Sequence, residues 1–459
     1  MSAGFRTQDP RTDEVLQRFS TAADEQIDEA VASSAAAYAD WSRRGIDERA
    51  GIAHRIADLF QERGTELARL AALEMGKPLD QACEEITECV DIFRYYAENG
   101  PELAAGKIIA DDAERRAVIQ HLPLGPLLGI MPWNFPYYQV ARFAAPNLVL
   151  GNTILLKHAE TVPQCALAIE ALLHDAGLPA GAYRNVFAAH EQVEQIIADE
   201  RVHGVSLTGS ERAGSAVASL AGKHLKKVVL ELGGSDAHIY LQVDDVAAAA
   251  RQAWEGRLFV MGQACTSNKR LIVHEDYAEE FLAELSRAAD ELTPGDPLNP
   301  SESSCYPLSS VAAADQVREQ IARAVEQGAV LHAGGERPET PGAWLRPAVI
   351  SGVTEEMDLY REEVFGPVAV VWAVPDEEAA VRLANDSPYG LAGAVFSADQ
   401  EQALRVAQQL EVGMANVNVA GSEMAEMPFG GVKRSGFGRE LGPLGMDEFA
   451  NKRLLYVNR

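Results

Sequence analysis

Cys265 lies in GQACTSN (262–268), a cysteine among small and polar residues. Most free cysteines are small buried hydrophobes. This one reads as a nucleophile only if the chain also supplies a base, an oxyanion donor and a cofactor. Each has a candidate. LELGGSD (230–236) places Glu231 at the end of an apolar run, before two glycines. A carboxylate there is costly unless paired or used; it can activate water or cap a following helix. In MPWNFPYY (131–138), Pro132 and Pro136 stiffen the backbone around Asn134. The Asn134 amide can donate to an oxyanion or close a turn on its own backbone. LTGSERAG (207–214) runs from an apolar strand through Gly209 and Ser210 into a helix. Free N–H groups at that helix start can hold a pyrophosphate, or the motif is an ordinary N-cap. EEVFGP (362–367) offers Glu363 for ribose hydroxyls and Phe365 for a nicotinamide pocket. No GxGxxG opens the first strand-to-helix turn. The glycine-rich MPFGGVKRSGFGRE (427–440) lacks the spacing of an ATP phosphate loop.

These residues need a scaffold. The chain has 459 residues, 47% hydrophobic and 24% charged, which suits a soluble protein of two or three domains. Helical stripes occupy 24–98, among them Ile52, Ile56, Leu59, Phe60, Leu67 and Leu70. From 127 onward short apolar runs alternate with helical segments: LLGIM (127–131), TILLK (153–157), RNVF (184–187), HGVSLT (203–208) and KVVLEL (227–232). That alternation predicts a parallel, doubly wound sheet with its ligand at the strands' carboxyl ends. A second run follows from about 233: AHIYL (237–241), KRLIVH (269–274), PVAVVWAV (367–374), GLAGAVF (390–396) and GMANVNV (413–419), with helices near 276–290 and 309–327. KRLLYVN (452–458) reads as a terminal strand in need of a partner sheet, in this chain or another subunit.

Composition narrows the function. A net charge of -28 repels phosphate backbones and argues against nucleic acid. Five cysteines without a CxxC argue against a disulfide framework or zinc knuckle, and for a reducing, cytoplasmic setting. Cys83, Cys89 and Cys165 read as structural. The first ten residues carry no apolar signal segment. Residues 117–141 hold no Asp, Glu, Lys or Arg, yet four prolines interrupt them, so a buried segment is expected rather than a membrane span. No metal site is expected.

PWNFP, LTGS, LELGGS, GQAC, EEVFGPV and PFGGVKRSGFGRE occur in the order and approximate spacing of the aldehyde dehydrogenase superfamily, which the chain resembles over essentially its whole length. LEMGK (73–77), FRYYAEN (93–99) and LLKHAE (155–160) make it look most like the bacterial succinate-semialdehyde branch. The resemblance implies an α/β fold with a Rossmann-like NAD(P)-binding domain (1–111 and 125–232), an α/β catalytic domain (233–434), and a small β oligomerisation element (112–124 and 445–459), giving a homodimer or homotetramer. It implies that Cys265 attacks the aldehyde, that Asn134 and the Cys265 N–H hold the oxyanion, and that Glu231 activates the water that releases the acid. A coenzyme A-dependent acyl transferase characteristically lacks the glutamate at 231, and a non-catalytic member is free to lose the nucleophile.

The cofactor residues implied are Met131, Pro132, Trp133, Lys157, Glu160, Gly209, Ser210, Leu232, Glu363 and Phe365. NAD is expected over NADP, because Glu160 would repel a 2′-phosphate; Lys157 softens that and keeps NADP possible. Arg142 is the only Asp, Glu, Lys or Arg between 117 and 156, an isolated cation that calls for a carboxylate partner; it matches an arginine that binds the distal carboxylate of succinate semialdehyde, beside Tyr138, and the alternative is a structural salt bridge to a distant acid. Phe259 stands where some relatives add a second arginine, and Glu423 where others place a serine. Both departures predict additional turnover of uncharged aliphatic aldehydes. Ser267 replaces the second cysteine of redox-regulated relatives, so no disulfide switch of that kind is expected.

Overall fold

The computed structural model describes residues 4–459. Two parallel-stranded sheets dominate it. The first has six strands in the order Gly436–Phe437, Lys227–Glu231, Gly204–Thr208, Pro126–Met131, Thr153–His158, Tyr183–Asn185. All pairings are parallel except that of Gly436–Phe437 with Lys227–Glu231. The second has seven strands in the order Val330–Ala333, Ala348–Ser351, Val368–Val374, Arg270–His274, Ala237–Gln242, Ala392–Ser397, Met414–Val417. Only Val330–Ala333 runs antiparallel. The central strands are buried on both faces: all six residues of Thr153–His158 and all five of Gly204–Thr208 are buried. This is why they read in the sequence as continuous apolar runs.

Long helices Ile46–Met75 and Leu79–Leu103 pack against Tyr138–Leu150, whose thirteen residues are all buried. Gly151 ends that last helix in the left-handed region (φ 112°), its N–H returning to the Asn147 carbonyl.

Two expected boundaries differ from the structure. The small sheet starts at Lys107, not 112: Lys107–Asp111 pairs with Arg115–Pro123, which pairs with Ala450–Asn458. Asp112 is the turn residue, its carboxylate accepting the Glu114 and Arg115 N–H groups at 3.1 and 3.0 Å, so a cut at 112 divides a hairpin. The terminal strand finds its partner within the chain. Beyond 434 the chain returns to the first sheet through Gly436–Phe437. An N-terminal hairpin, Arg6–Asp9 with Glu14–Arg18, is a further element. Among the described residues no helix is long and apolar enough to cross a membrane.

Candidate active site

Cys265 sits on a strained loop between the helix Val246–Leu258 and the strand Arg270–His274. Val260 (φ 50°), Met261 (φ 53°) and Gly262 (φ 70°) are left-handed in succession. Two of the three carry side chains, so the turn persists only because its surroundings over-determine it. Gln81 accepts the Val260 N–H at 2.8 Å, and Gln263 bonds the Val260 carbonyl and the Ser309 N–H, both at 3.0 Å. Arg257, wholly buried, donates to the carbonyls of Val364, Gly366 and Val368 and to Ser267 Oγ at 2.6 Å. Burial lowers its pKa to about 9.

Cys265 opens onto a cavity of about 490 Å³ lined also by Phe135, Tyr138, Arg142, Phe259 and Glu423. The thiol keeps a partly exposed surface toward that cavity while protein surrounds it otherwise. Burial pushes its pKa up to about 12, against the pull of Arg142 and Lys269. It therefore rests protonated and needs a base.

Glu231 ends its strand fully buried, with neither carboxylate oxygen hydrogen-bonded to protein. Burial, then the like charge of Glu440, raises its pKa well above the usual carboxylate range, while Arg142 and Arg439 oppose. It caps no helix, since the strand Ala237–Gln242 follows. Gly430 passes so close that a Cβ there would stand 2.6 Å from Glu231 Oε1. Asn134 does not close a turn on itself: its Nδ2 donates to the Gln263 carbonyl at 2.9 Å, tying its loop to that of the nucleophile. Glu85 pins the same loop, accepting the N–H groups of Tyr137 and Tyr138 at 2.7 and 3.0 Å. Its counter-ion is Lys77, at 2.5 Å and equally inaccessible.

The residues expected around a dinucleotide converge at the carboxyl ends of four adjacent parallel strands, where ligands of such sheets bind. Met131, Lys157, Gly209 and Leu232 stand at or just beyond those ends. Pro132 and Trp133 continue from Met131, and the Trp133 ring meets Phe365 edge-on at 5.8 Å. Lys157 and Glu160 pair at 2.5 Å. Glu160 is pulled two ways: burial raises its pKa and Lys157 lowers it, the net shift being downward. The reading of free donors at LTGS needs correction in part. The Gly209 N–H already donates to the Glu231 carbonyl at 3.0 Å, and Ser210 Oγ caps its helix by accepting the Ala213 N–H at 3.3 Å. Glu363 Oε1 accepts the Gly234 N–H at 3.1 Å and pairs with Lys269 at 3.2 Å. Gly233 leaves room for its other oxygen, which a Cβ would approach to 2.2 Å. Placed aromatics, two carboxylates and a cradle that needs glycine suit a nicotinamide dinucleotide.

On the opposite side, Arg142 is buried, but it is not the isolated guanidinium that the local sequence suggests. Its Nε lies 2.8 Å from Glu440 Oε2, another group donates to Gln139, and its charge stacks on Phe429 (4.0 Å) and Tyr138 (4.9 Å). Nη1 has no protein partner. Phe259 packs on Phe135 at 6.0 Å. Glu423 lines the cavity with Glu88 and Glu255. A second cavity of about 480 Å³ shares Glu88, Tyr138, Glu423 and Met424 with the first. Burial, then Glu85, pushes Glu88 up to about 8.

Four site residues lay outside the sequence expectations: Glu85, Arg257, Lys269 and Glu440. Only Glu85 left a signal, a carboxylate on the apolar stripe between Ala82 and Cys89.

Two largely parallel α/β sheets thus carry a half-buried cysteine at the wall of a cavity and a fully buried glutamate with no hydrogen-bond partner. The aldehyde dehydrogenase family model matches residues 2–455. The chain is 51% identical to the Deinococcus radiodurans protein named succinate-semialdehyde dehydrogenase [NADP(+)], covering 98% of this chain and 94% of that one. It is 40% identical to the Escherichia coli succinate semialdehyde dehydrogenase [NAD(P)+] Sad, covering 98% and 97%. The crystal structure of succinic semialdehyde dehydrogenase from Streptococcus pyogenes with NADP+ superposes with a TM-score of 0.96 at 39% identity, over 99% and 100% of the two chains. The chain belongs to the aldehyde dehydrogenase family. It is an NAD(P)-dependent aldehyde dehydrogenase.

Proposed function

We propose that the enzyme oxidises succinate semialdehyde to succinate. The observation that carries this reading is the single guanidinium, Arg142, in the wall of the Cys265 cavity with Nη1 unpartnered. The names of the relatives support it. Glu231 takes the thiol proton, directly or through water, and its raised pKa makes it a competent base once ionised. The thiolate adds to the aldehyde carbon, and the new oxyanion is met by the Asn134 amide and the Cys265 N–H. A bound nicotinamide would supply the acceptor for the hydride that the tetrahedral adduct expels. The acyl group then remains on Cys265 as a thioester. Glu231 removes a proton from water, which attacks the thioester, releases the acid and restores the thiol.

Glu363 and Phe365 would hold the nicotinamide end of the cofactor, and Lys157 and Glu160 the adenosine ribose. The finer preference we propose is NAD over NADP, since a 2′-phosphate must share Lys157 with the Glu160 carboxylate. The NADP(+) in the relatives' names stands on the other side. We also propose self-association through the small sheet. Its terminal strand Ala450–Asn458 is an edge strand that exposes Leu454, Leu455, Tyr456 and Val457. The test of function is absorbance at the reduced-nicotinamide band with succinate semialdehyde and with butanal. A higher kcat/KM for succinate semialdehyde supports the reading; equal or better use of butanal removes it.

A further inference from the structure

Lys269 stands just before the strand Arg270–His274, its side chain 2% exposed. Its ammonium has three N–H bonds and three partners. Two are the carbonyls of Ala264 and Cys265, each at 2.8 Å. The third is Glu363 Oε1 at 3.2 Å. Burying a lysine demands such compensation, and here every compensating group belongs to the active site. The Ala264 carbonyl shares a peptide plane with the Cys265 N–H. In a trans peptide these two groups point in opposite directions. An ammonium that fixes the Ala264 carbonyl therefore aims the Cys265 N–H away from itself. Gly234 closes the arrangement: its N–H donates to Glu363 at 3.1 Å, and a Cβ there would stand 2.6 Å from the Cys265 carbonyl.

We propose that Lys269 is a positioning residue: it orients the peptide whose N–H receives the oxyanion, and it ties the nucleophile loop to Glu363. The oxyanion and cofactor parts rest on the function proposed above; the link between Lys269 and Cys265 does not. The charged groups acting on Cys265 are Arg142 and Lys269, which favour its thiolate, and Asp236 and Glu363, which oppose it.

The test uses the full-length protein without cofactor. Cys265 is alkylated with iodoacetamide at neutral pH, and the rate at its peptide is followed by mass spectrometry. Lys269→Met should slow alkylation about tenfold at neutral pH. Glu363→Gln, which leaves the ammonium and removes its acid, should speed it. In turnover, K269M should cut kcat by about ten- to a hundredfold with the aldehyde KM little changed. It should also weaken cofactor binding measured by fluorescence. A K269M alkylation rate and kcat equal to wild type would overturn the proposal. Should K269M fail to fold, an unchanged alkylation rate in E363Q overturns it equally. Wild-type enzyme that oxidises no aldehyde would instead defeat the proposed function, while the alkylation rate still reads the Lys269 contact.

Discussion

Replacing Arg142 separates its two roles, ion-pair partner and substrate ligand. Arg142→Met keeps methylene packing against Phe429 and Tyr138 while removing the charge. The first consequence is on stability. Glu440 would lose its 2.8 Å counter-ion and keep only the Ser206 hydroxyl at 3.2 Å, close to the equally buried Glu231. Breaking a buried pair from one side costs about 3–5 kcal/mol. The second is on selectivity. A lost charge-assisted hydrogen bond to the distal carboxylate is worth about 1.5–3 kcal/mol, which is about a ten- to 150-fold fall in kcat/KM at 1.4 kcal/mol per decade. Butanal has no carboxylate to lose. The assay is therefore the ratio of kcat/KM for succinate semialdehyde to that for butanal, measured on one preparation below its melting temperature, so that the folded fraction cancels. The double variant R142M/E440Q removes the orphaned acid and should recover much of the stability without recovering the ratio. A ratio unchanged in R142M would make Arg142 an ion-pair partner alone, and the succinate semialdehyde assignment would fall with it.

Glu160→Ser should move cofactor preference toward NADP, read as the ratio of kcat/KM for the two cofactors; an unmoved ratio refutes the charge argument. Glu423→Gln should lower KM for succinate semialdehyde about two- to fivefold, with butanal unaffected, because a half-exposed like charge acts only weakly. Equal changes for both aldehydes would mean that Glu423 does not meet the carboxylate. Glu88 sets a pH dependence. Its pKa rises from 4.5 to about 8 on folding, so between those values the native state holds a proton that the unfolded chain has released. Stability from this group is full below about pH 4.5 and lost as pH climbs through 8. Glu88→Gln, always neutral, should gain on wild type in thermal melts from pH 5 to 9; parallel curves would refute the shift.

What the sequence displayed and what it hid follow from range. Strands such as TILLK and HGVSLT were legible because both faces are buried, leaving unbroken apolar runs. Val330–Ala333 was not, because three of its four residues are exposed at a sheet edge. Cys265, Glu231 and Asn134 stood out through their immediate neighbours: small residues, paired glycines, flanking prolines. Arg142 stood out as a lone cation, but its partner Glu440 comes from a distant glycine-rich segment, and no local pattern announces such a pair. Lys269 was hidden for the same reason, since its carboxylate partner Glu363 lies in another loop. The left-handed turn at Val260 and Met261 is opposed by its own residue types, so the bonds that hold it come from outside the local pattern: Gln81 to the Val260 N–H and Ser309 to Gln263. At LTGS, local reading offered a phosphate cradle and a capped helix together; Ser210 makes the cap.

The central claim is that Cys265 carries the acyl group and Glu231 releases it. Glu231→Gln should allow acylation, if slowly, and stall hydrolysis. Mixed with cofactor and succinate semialdehyde, acid-quenched and weighed intact, it should carry one succinyl group per chain. Peptide mapping should place that group on Cys265, alongside a burst of reduced cofactor close to one per site. An unmodified protein that nevertheless shows the burst, or an acyl group on Cys83 or any other cysteine, would contradict the account.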